Sequence, residues 1–492
     1  MLRKYVSLFA VAGMVATTAV RADVVIDWNK TIYDVMQNDG TKVDNKANPG
    51  WATRSIAMLN GAIYDAFQAV NRTHAPYKAN MHAPANTSLE AAIHQAAYEV
   101  LYHCYPNEQP MLQAAYNAWM DPGAIPDGEA KTNGMNLGHA IAHHYKTWRT
   151  NDKADESIEY TPPVGIGMWS PDPFWPGLLE NPPQPQEAWG PGWRDVKTFG
   201  IPDTQSFIAG IDPIPALNSA EYAYAYNQVK ELGALNSASR DEEQTKISLF
   251  WAYDRPSMGP PPTLFVRNMW EVAEAVGQSP EDNARLFAQA SVAMADAAVA
   301  AWDAKFEYNF WRPVTAIHAG DIDTNDDTVG DPNWHPLGAP GNNHAGTDDD
   351  FTPPFPAWTS GHATMGAAVF KSIEQFFGKN SFGDIIGVPG AMYTLTSEEE
   401  GSGGMRSYAE FAHYGTLDID TYAGTPDGEN GISRVFLGIH WLFDQQGGLQ
   451  LGHNIANFVS GNYFQAVPEP SAMMLALIAA GGGGCFVRRR QI

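Results

Sequence analysis

Phe355-Pro-Ala-Trp-Thr359-Ser360-Gly361-His362-Ala-Thr364-Met365-Gly-Ala-Ala-Val369-Phe-Lys-Ser-Ile373-Glu-Gln-Phe376-Phe-Gly378 holds a helix start, a helix and a helix stop in one run. Met365, Val369, Ile373 and Phe376 recur at three- and four-residue intervals, the spacing of one face of an α-helix. Ser360 stands at the N-cap position, and Gly378 closes the pattern. The amide of Gly361 then points out of the helix start, where free N–H groups and the helix dipole favour an anion. His362, in the first turn, has one face toward that anion and is placed as a general acid or base. Taken alone, such a triplet is in most proteins a plain serine cap followed by an incidental histidine.

Two more polar islands flank this one. Lys305-Phe-Glu-Tyr-Asn-Phe-Trp-Arg312-Pro313 places two cations seven residues apart. On a continuous helix that is two turns less about 20°, so both point to one face about 10 Å apart along the axis. Trp302 lies one turn earlier. Two snorkelling surface cations would fit the spacing equally well. The flanking Phe306, Tyr308, Phe310 and Trp311 favour burial, and a buried cation needs an anion. The third island is Ser433-Arg434, then His440, then Asp444. Four residues apart, His440 and Asp444 share a helix face, and Asp444 can orient the imidazole. Arg434 lies about 120° away from His440 if the helix is continuous. A structural histidine bonded to Asp444 is the alternative reading. Together the islands offer three cations, a hydroxyl, a glycine amide and two imidazoles, a set that suits a tetrahedral oxyanion.

The same 3.6-residue period dominates elsewhere, and alternating strands are hard to find, so the expected class is mainly α. Ile56, Leu59, Ile63, Phe67 and Val70 form one apolar stripe. Thr87 and Glu90 have capping-box spacing ahead of residues 89–102. Residues 218–232 close on Gly233, and the alanine-rich run 281–311 is ended by Pro313. Between them, residues 161–215 are rich in proline and carry Trp169, Trp175, Trp189 and Trp193. Disordered segments are poor in aromatics, so this stretch reads as an ordered loop over the helices. Asp321-Ile-Asp323-Thr-Asn325 begins like a calcium loop. Asp326 stands where its glycine should be and Pro332 where its glutamate should be, so a solvated loop is expected.

With 492 residues and 44% hydrophobic content, the chain can bury a sizeable core. Its formal net charge of −25 argues against nucleic acid and anionic membrane as partners of the body and makes the clustered cations more notable. The two cysteines, Cys104 and Cys485, are not expected to form a disulfide framework, because Cys485 lies in a terminal tail. Residues 1–22 have the basic start, apolar run and small-residue cleavage pattern of a secretory signal. At the other end, Pro468-Glu-Pro470, an apolar run to Val487 and Arg488-Arg-Arg490 resemble a PEP-CTERM sorting tail of Gram-negative bacteria. That resemblance implies export to the periplasm, cell surface or extracellular matrix, a partner in the envelope's sorting machinery, and a transient membrane anchor. The expected organisation is a signal peptide (1–22), an N-terminal helical half with the Pro/Trp-rich loop (23–215), a helical domain with the site (216–465) and the tail (466–492).

The ordered set Lys, Arg-Pro, Ser-Gly-His, Ser-Arg, His, Asp resembles the signature of the vanadium-dependent haloperoxidases, which type 2 phosphatidic acid phosphatases and bacterial acid phosphatases share. Upstream, Phe250-Trp-Ala-Tyr-Asp254 and Gly259-Pro-Pro-Pro262 are similar to the chloroperoxidase-type members. The resemblance implies two helical bundles with long Pro/Trp-rich loops and the site in the C-terminal bundle. It implies vanadate as cofactor, with phosphate able to occupy the same place. Lys305, Arg312 and Arg434 would neutralise its oxygens, Ser360 and Gly361 would hydrogen-bond it, and His440 would coordinate the metal. His362 would be the acid/base, Asp254 would anchor the cations, and Trp302 and Phe355 would line the halide approach. The implied substrates are hydrogen peroxide and halide. Thr359 replaces the signature's proline, and Phe355 stands where bromoperoxidases carry an extra histidine, which favours a chloroperoxidase-like pocket. Two other readings remain: a phosphomonoesterase with His440 as nucleophile, and a non-catalytic surface or matrix protein.

Overall fold

Side-chain caps and prolines set the helix boundaries of this chain. In the computed structural model, which describes residues 23–180, 182–184, 186–341 and 351–467, Asp23 accepts from the amides of Val25 and Ile26 and starts α1 (Val24–Gly40). Asn48 caps α2 (Pro49–Asn71) and Ser88 caps α3 (Leu89–Cys104), followed by α4 (Gln109–Trp119) and α5 (Glu129–Arg149). After a long loop containing the single turn α6 (Gln205–Ile208), Ser219 caps α7 (Ala220–Leu232), and Asp241 starts α8 (Glu242–Phe250) through a capping box with Gln244. Then come α9 (Pro262–Val276), α10 (Pro280–Tyr308), capped by Ser279, and α11 (Pro313–His318). Ser360 caps α12 (Gly361–Phe377), and the short α13 (Phe382–Ile386) leads into the hairpin β1 (Tyr393–Thr396) and β2 (Met405–Tyr408). The hairpin is antiparallel, with Tyr393 opposite Tyr408, and α14 (Pro426–Phe436) and α15 (Leu442–Asn462) complete the chain. The signal segment 1–22, Cys485 and all but the first two residues of the tail 466–492 lie outside the described residues.

The mainly helical expectation holds, and α10 is its hub. It packs against α2 on one side and against α12 and α15 on the other, while α3 and α5 pair behind α2. One continuous apolar core draws side chains from α1 through α15. The alanines of α10 leave it thin enough for neighbours on every side, and residues 283–306 are all buried except the half-buried Arg285. Among its apolar side chains, Leu286, Phe287 and Met294 each contribute about 1.5–3 kcal/mol of burial. The α12–α15 pair depends on two glycines, because a Cβ at Gly452 would lie 2.3 Å from the Thr364 carbonyl and one at Gly448 2.8 Å from Ala363.

Two sequence expectations shift by small distances that matter. The cap of α3 is Ser88, not Thr87, whose hydroxyl donates back to the Pro84 carbonyl. The alanine-rich helix ends at Tyr308 rather than at Trp311. Asn309 takes a left-handed conformation (φ 51°) and its amide bonds the carbonyl of Lys305, which stops the helix four residues before Pro313. Arg312 is therefore not on the helix of Lys305. In the acidic loop, Asp323 is buried and accepts from the Thr328 hydroxyl and the Asn325 amide. Among the described residues, no group of three or more His, Cys, Asp or Glu is gathered as a metal site.

The Pro/Trp-rich loop is ordered over the helices and clipped to α10. Trp169 and Trp193 are buried in the molecule, and the Trp169 amide donates to the Asn309 carbonyl at 2.7 Å. Farther along, the buried carboxylate of Asp296 accepts from the amides of Phe199, Gly200 and Ile201 at 2.6–2.8 Å. Two helical turns later, Asp303 pairs with Arg194 and accepts from Gln205. One face of α10 thus anchors this loop. Asp296→Ala would leave three buried amides without acceptors, at about 1–3 kcal/mol each. The variant is expected to lose at least about 3 kcal/mol in urea unfolding. A loss under about 1 kcal/mol would show that the loop is held by other contacts.

Candidate active site

The opposite face of α10 carries Trp302 and Lys305 toward α12 and α15. Lys305 is fully buried, and its ammonium donates to the carbonyls of Pro356 and Ala357, both at 2.9 Å. The same ammonium stands 5.0 Å over the Phe355 ring. Arg312, at the N-cap of α11, donates through Nε to the Phe355 carbonyl (2.9 Å) and through Nη1 to the Ile439 carbonyl (2.7 Å). Arg434 reaches in from α14 and pairs with Asp254 at 2.8 Å. The three cations thus come from three elements onto one spot, and the carbonyls of residues 355–357 hold two of them.

Both imidazole tautomers follow from these partners. Arg312 Nη1 lies 3.0 Å from His440 Nε2, and a guanidinium can only donate, so Nε2 carries the lone pair. The proton of His440 is then on Nδ1, which donates to Asp444 at 2.7 Å. His362 Nε2 lies 3.0 Å from the Ala252 carbonyl, which can only accept, so Nε2 bears the hydrogen and Nδ1 the lone pair. Both rings are neutral in this state. Burial, then the field of the three cations, holds each well below the ordinary histidine range.

The electrostatics call for an anion. Burial, reinforced by Arg312, holds the Lys305 ammonium far below its ordinary range, and burial brings Arg312 down to about 9. On the acid side, burial pushes Asp444 up to about 7 and raises Asp254 against the pull of Arg434. Arg312 Nη2 and Arg434 Nε and Nη1 are buried donors that no protein acceptor meets. Beside them is the start of α12, where the Ser360 hydroxyl accepts from the Ala363 amide and the first amides of the helix have no intrahelical acceptor. A Cβ at Gly361 would crowd the Trp302 ring at 3.2 Å, so glycine lets that ring pack against the helix start. This donor set fits a tetrahedral oxyanion such as vanadate or phosphate.

A cavity of about 400 Å³ opens onto the site, lined by Asp254, Trp302, Phe355, Gly361, His362, Arg434 and His440. Every candidate site residue named from the sequence is thus in the site or directly behind it, with Lys305, Arg312, Ser360 and Asp444 forming its buried back. Some participants had no signal of their own. Trp189, from the Pro/Trp-rich loop, packs edge-on against Trp302 (ring centroids 5.1 Å) and lines the cavity. Gly40, Asn48 and Pro49, at the junction of α1 and α2, form the far wall. The Ala252 carbonyl, which sets the tautomer of His362, is backbone and invisible to motif reading.

The helical premises behind two of the pairs do not survive. His440 precedes α15, which begins at Leu442, and α14 ends at Phe436. Gly438, at φ 74°, turns the chain between them, so Arg434 and His440 meet without the 120° offset of a continuous helix. Asp444 is in the first turn of α15, where its carboxylate also accepts from the Trp441 amide at 3.0 Å. One carboxylate therefore caps the helix and orients the imidazole. Asp444→Asn is expected to release the tautomer of His440 and weaken phosphate binding by about 10- to 100-fold in calorimetric titration. Unchanged affinity would show that His440 is oriented by Arg312 alone.

A family model described as the VCPO second helical-bundle domain matches residues 285–468. The chain is 28% identical over 496 aligned residues to the vanadium chloroperoxidase of Curvularia inaequalis, covering 85% of this chain and 78% of that protein. Among solved structures, a bacterial vanadium-dependent iodoperoxidase superimposes with a TM-score of 0.68 at 21% identity, covering 91% of this chain and 97% of that one. A holo-type bacterial vanadium-dependent chloroperoxidase gives 0.61 at 15%, covering 88% and 96%. The chain therefore carries a VCPO-type second helical-bundle domain within a fold that it shares with the vanadium-dependent haloperoxidases.

Proposed function

We propose that this protein is an exported vanadate-dependent haloperoxidase, oxidising halide with hydrogen peroxide and one proton from solvent to hypohalous acid and water. The observation that carries the reading is the convergence of Lys305, Arg312 and Arg434, with unpartnered guanidinium donors, on two neutral imidazoles whose lone pairs are defined. Similarity to a vanadium chloroperoxidase over most of the chain supports the choice of vanadate. When bound, vanadate supplies a Lewis acid that activates peroxide toward halide.

The chain's own residues supply the rest. The three cations hold and neutralise the oxyanion, while Ser360 and the Gly361 amide add hydrogen bonds. His440 offers Nε2 as metal ligand, with Asp444 fixing its proton on Nδ1. Asp254 holds Arg434 in place. His362 Nδ1 takes up a proton as peroxide binds and returns it as water forms. The aromatic wall of Trp302 and Phe355 gives halide an apolar approach that excludes water.

The purified mature chain, stripped and reloaded with vanadate, should oxidise halide with peroxide. Ester hydrolysis inhibited by vanadate, with no halide oxidation at any pH, would favour the phosphatase reading with His440 as nucleophile. His440→Ala should lose vanadate retention, whereas His362→Ala should keep it and lose turnover. Equal vanadate loss in both would refute this division of roles.

Export rests on the sequence of residues 1–22 and of the tail 466–492. It is supported by Asp23 acting as the cap of the first helix, directly after the expected cleavage point. Mass spectrometry of the protein from the cell envelope should find Asp23 at the N-terminus. Accumulation of full-length chain in the cytosol would overturn this part of the proposal.

A further inference from the structure

Two contacts on the cavity side come from residues that sit on either side of Tyr253. The Ala252 carbonyl accepts from His362 at 3.0 Å, and the Asp254 carboxylate accepts from Arg434 at 2.8 Å. Between them, Tyr253 is fully buried and takes a left-handed backbone conformation (φ 48°). A bulky residue pays for that conformation and glycine does not. The left-handed turn lets a carbonyl and a side chain only two residues apart reach two different arms of one site. It also sends the tyrosine ring away from the cavity, toward α1.

There the Tyr253 hydroxyl is bonded to the Tyr33 hydroxyl at 3.0 Å. Tyr33 is fixed in turn: Arg267 and Gln37 donate to it, each at 3.0 Å, and it bonds Glu398 at 3.1 Å. Arg267 closes the ring with Glu398 at 2.7 Å. Tyr33 also packs edge-on against Trp270 of α9. The network therefore ties α1, α9 and the segment after β1 to a left-handed residue beside the site.

We infer that Tyr253 is a positioning residue, whose hydroxyl, clamped by Tyr33, holds the left-handed turn that aims Ala252 at His362 and Asp254 at Arg434 together. The inference rests on the reading of His362 as proton carrier and of Arg434 as oxyanion holder. Through Tyr33, the first helix of the chain, which lies outside the matched domain, sets the tautomer of the acid/base histidine.

The test uses the intact mature chain with ¹⁵N-labelled histidine, without added oxyanion, and then orthovanadate titrated by calorimetry. The parent protein should show His362 as the Nε2–H tautomer. In Tyr253→Phe and in Tyr33→Phe, the Nε2–H population should fall and the vanadate dissociation constant should rise by about 10-fold. Tyr393→Phe removes a buried phenol bond elsewhere, to the Glu410 carbonyl, and should leave both readouts at parent values. Where Tyr253→Phe does not fold, Tyr33→Phe decides, since both rings keep their packing. Parent tautomer and parent affinity in the folded variants would overturn the inference. Changes in both readouts support it even if the parent oxidises no halide, an outcome that refutes the haloperoxidase reading alone.

Discussion

Three cations buried at one point, with two carboxylates whose ionisation burial also opposes, set the terms for the rest of this structure. Lys305, Arg312 and Arg434 cannot stand in an apolar core without many dipoles turned toward them. The fold supplies these as backbone: the carbonyls of residues 355–357 and 439 face two of the cations, and Asp254 faces the third. The remaining donors are left for an anion. Stability is spent here on a pre-organised site, in the sense that donors are oriented before any ligand arrives.

The scaffold follows from that requirement. Carbonyls of an irregular segment can be aimed only if the segment is itself fixed, and residues 351–360 are held between α10, the Pro/Trp-rich loop and α15. Trp189 donates its amide to the Pro354 carbonyl, and the Ser360 amide donates to the Asp444 carbonyl. One face of α10 anchors the loop through Asp296 and Asp303, and the other presents Trp302 and Lys305. The N-terminal helices contribute the far wall of the cavity and, through Tyr33, the support behind Tyr253. Their role in the chemistry is positional, which is why no motif marks it.

Much of the site was legible because its chemistry is written in rare residue types. Cations are scarce in a chain of net charge −25, so a lysine and an arginine set among four aromatics stood out. The Ser-Gly-His helix start was readable because capping follows local rules that need no partner. The geometry of the other two islands was less legible. Lys305 and Arg312 read as one helix face, and the offset between Arg434 and His440 depended on whether their helix was continuous; Asn309 and Gly438 turn the chain between the members of each pair. Left-handed residues at helix ends are favoured by asparagine and glycine, but whether a given one turns is decided by what the next segment packs against.

By itself, the sequence determined the helical class, the cap at Ser360, the residue types of the oxyanion site and Asp444 as a candidate partner of His440, four residues away. Only the tertiary structure decided how the cations converge, which tautomer His362 adopts and what walls the cavity. Those depend on the Ala252 carbonyl, on the segment 355–357 and on Trp189, groups far apart in the chain with no distinctive side-chain chemistry in the reaction. Local hydrogen-bonding rules act over about four residues, whereas the orientation of a carbonyl is set by packing across the whole core.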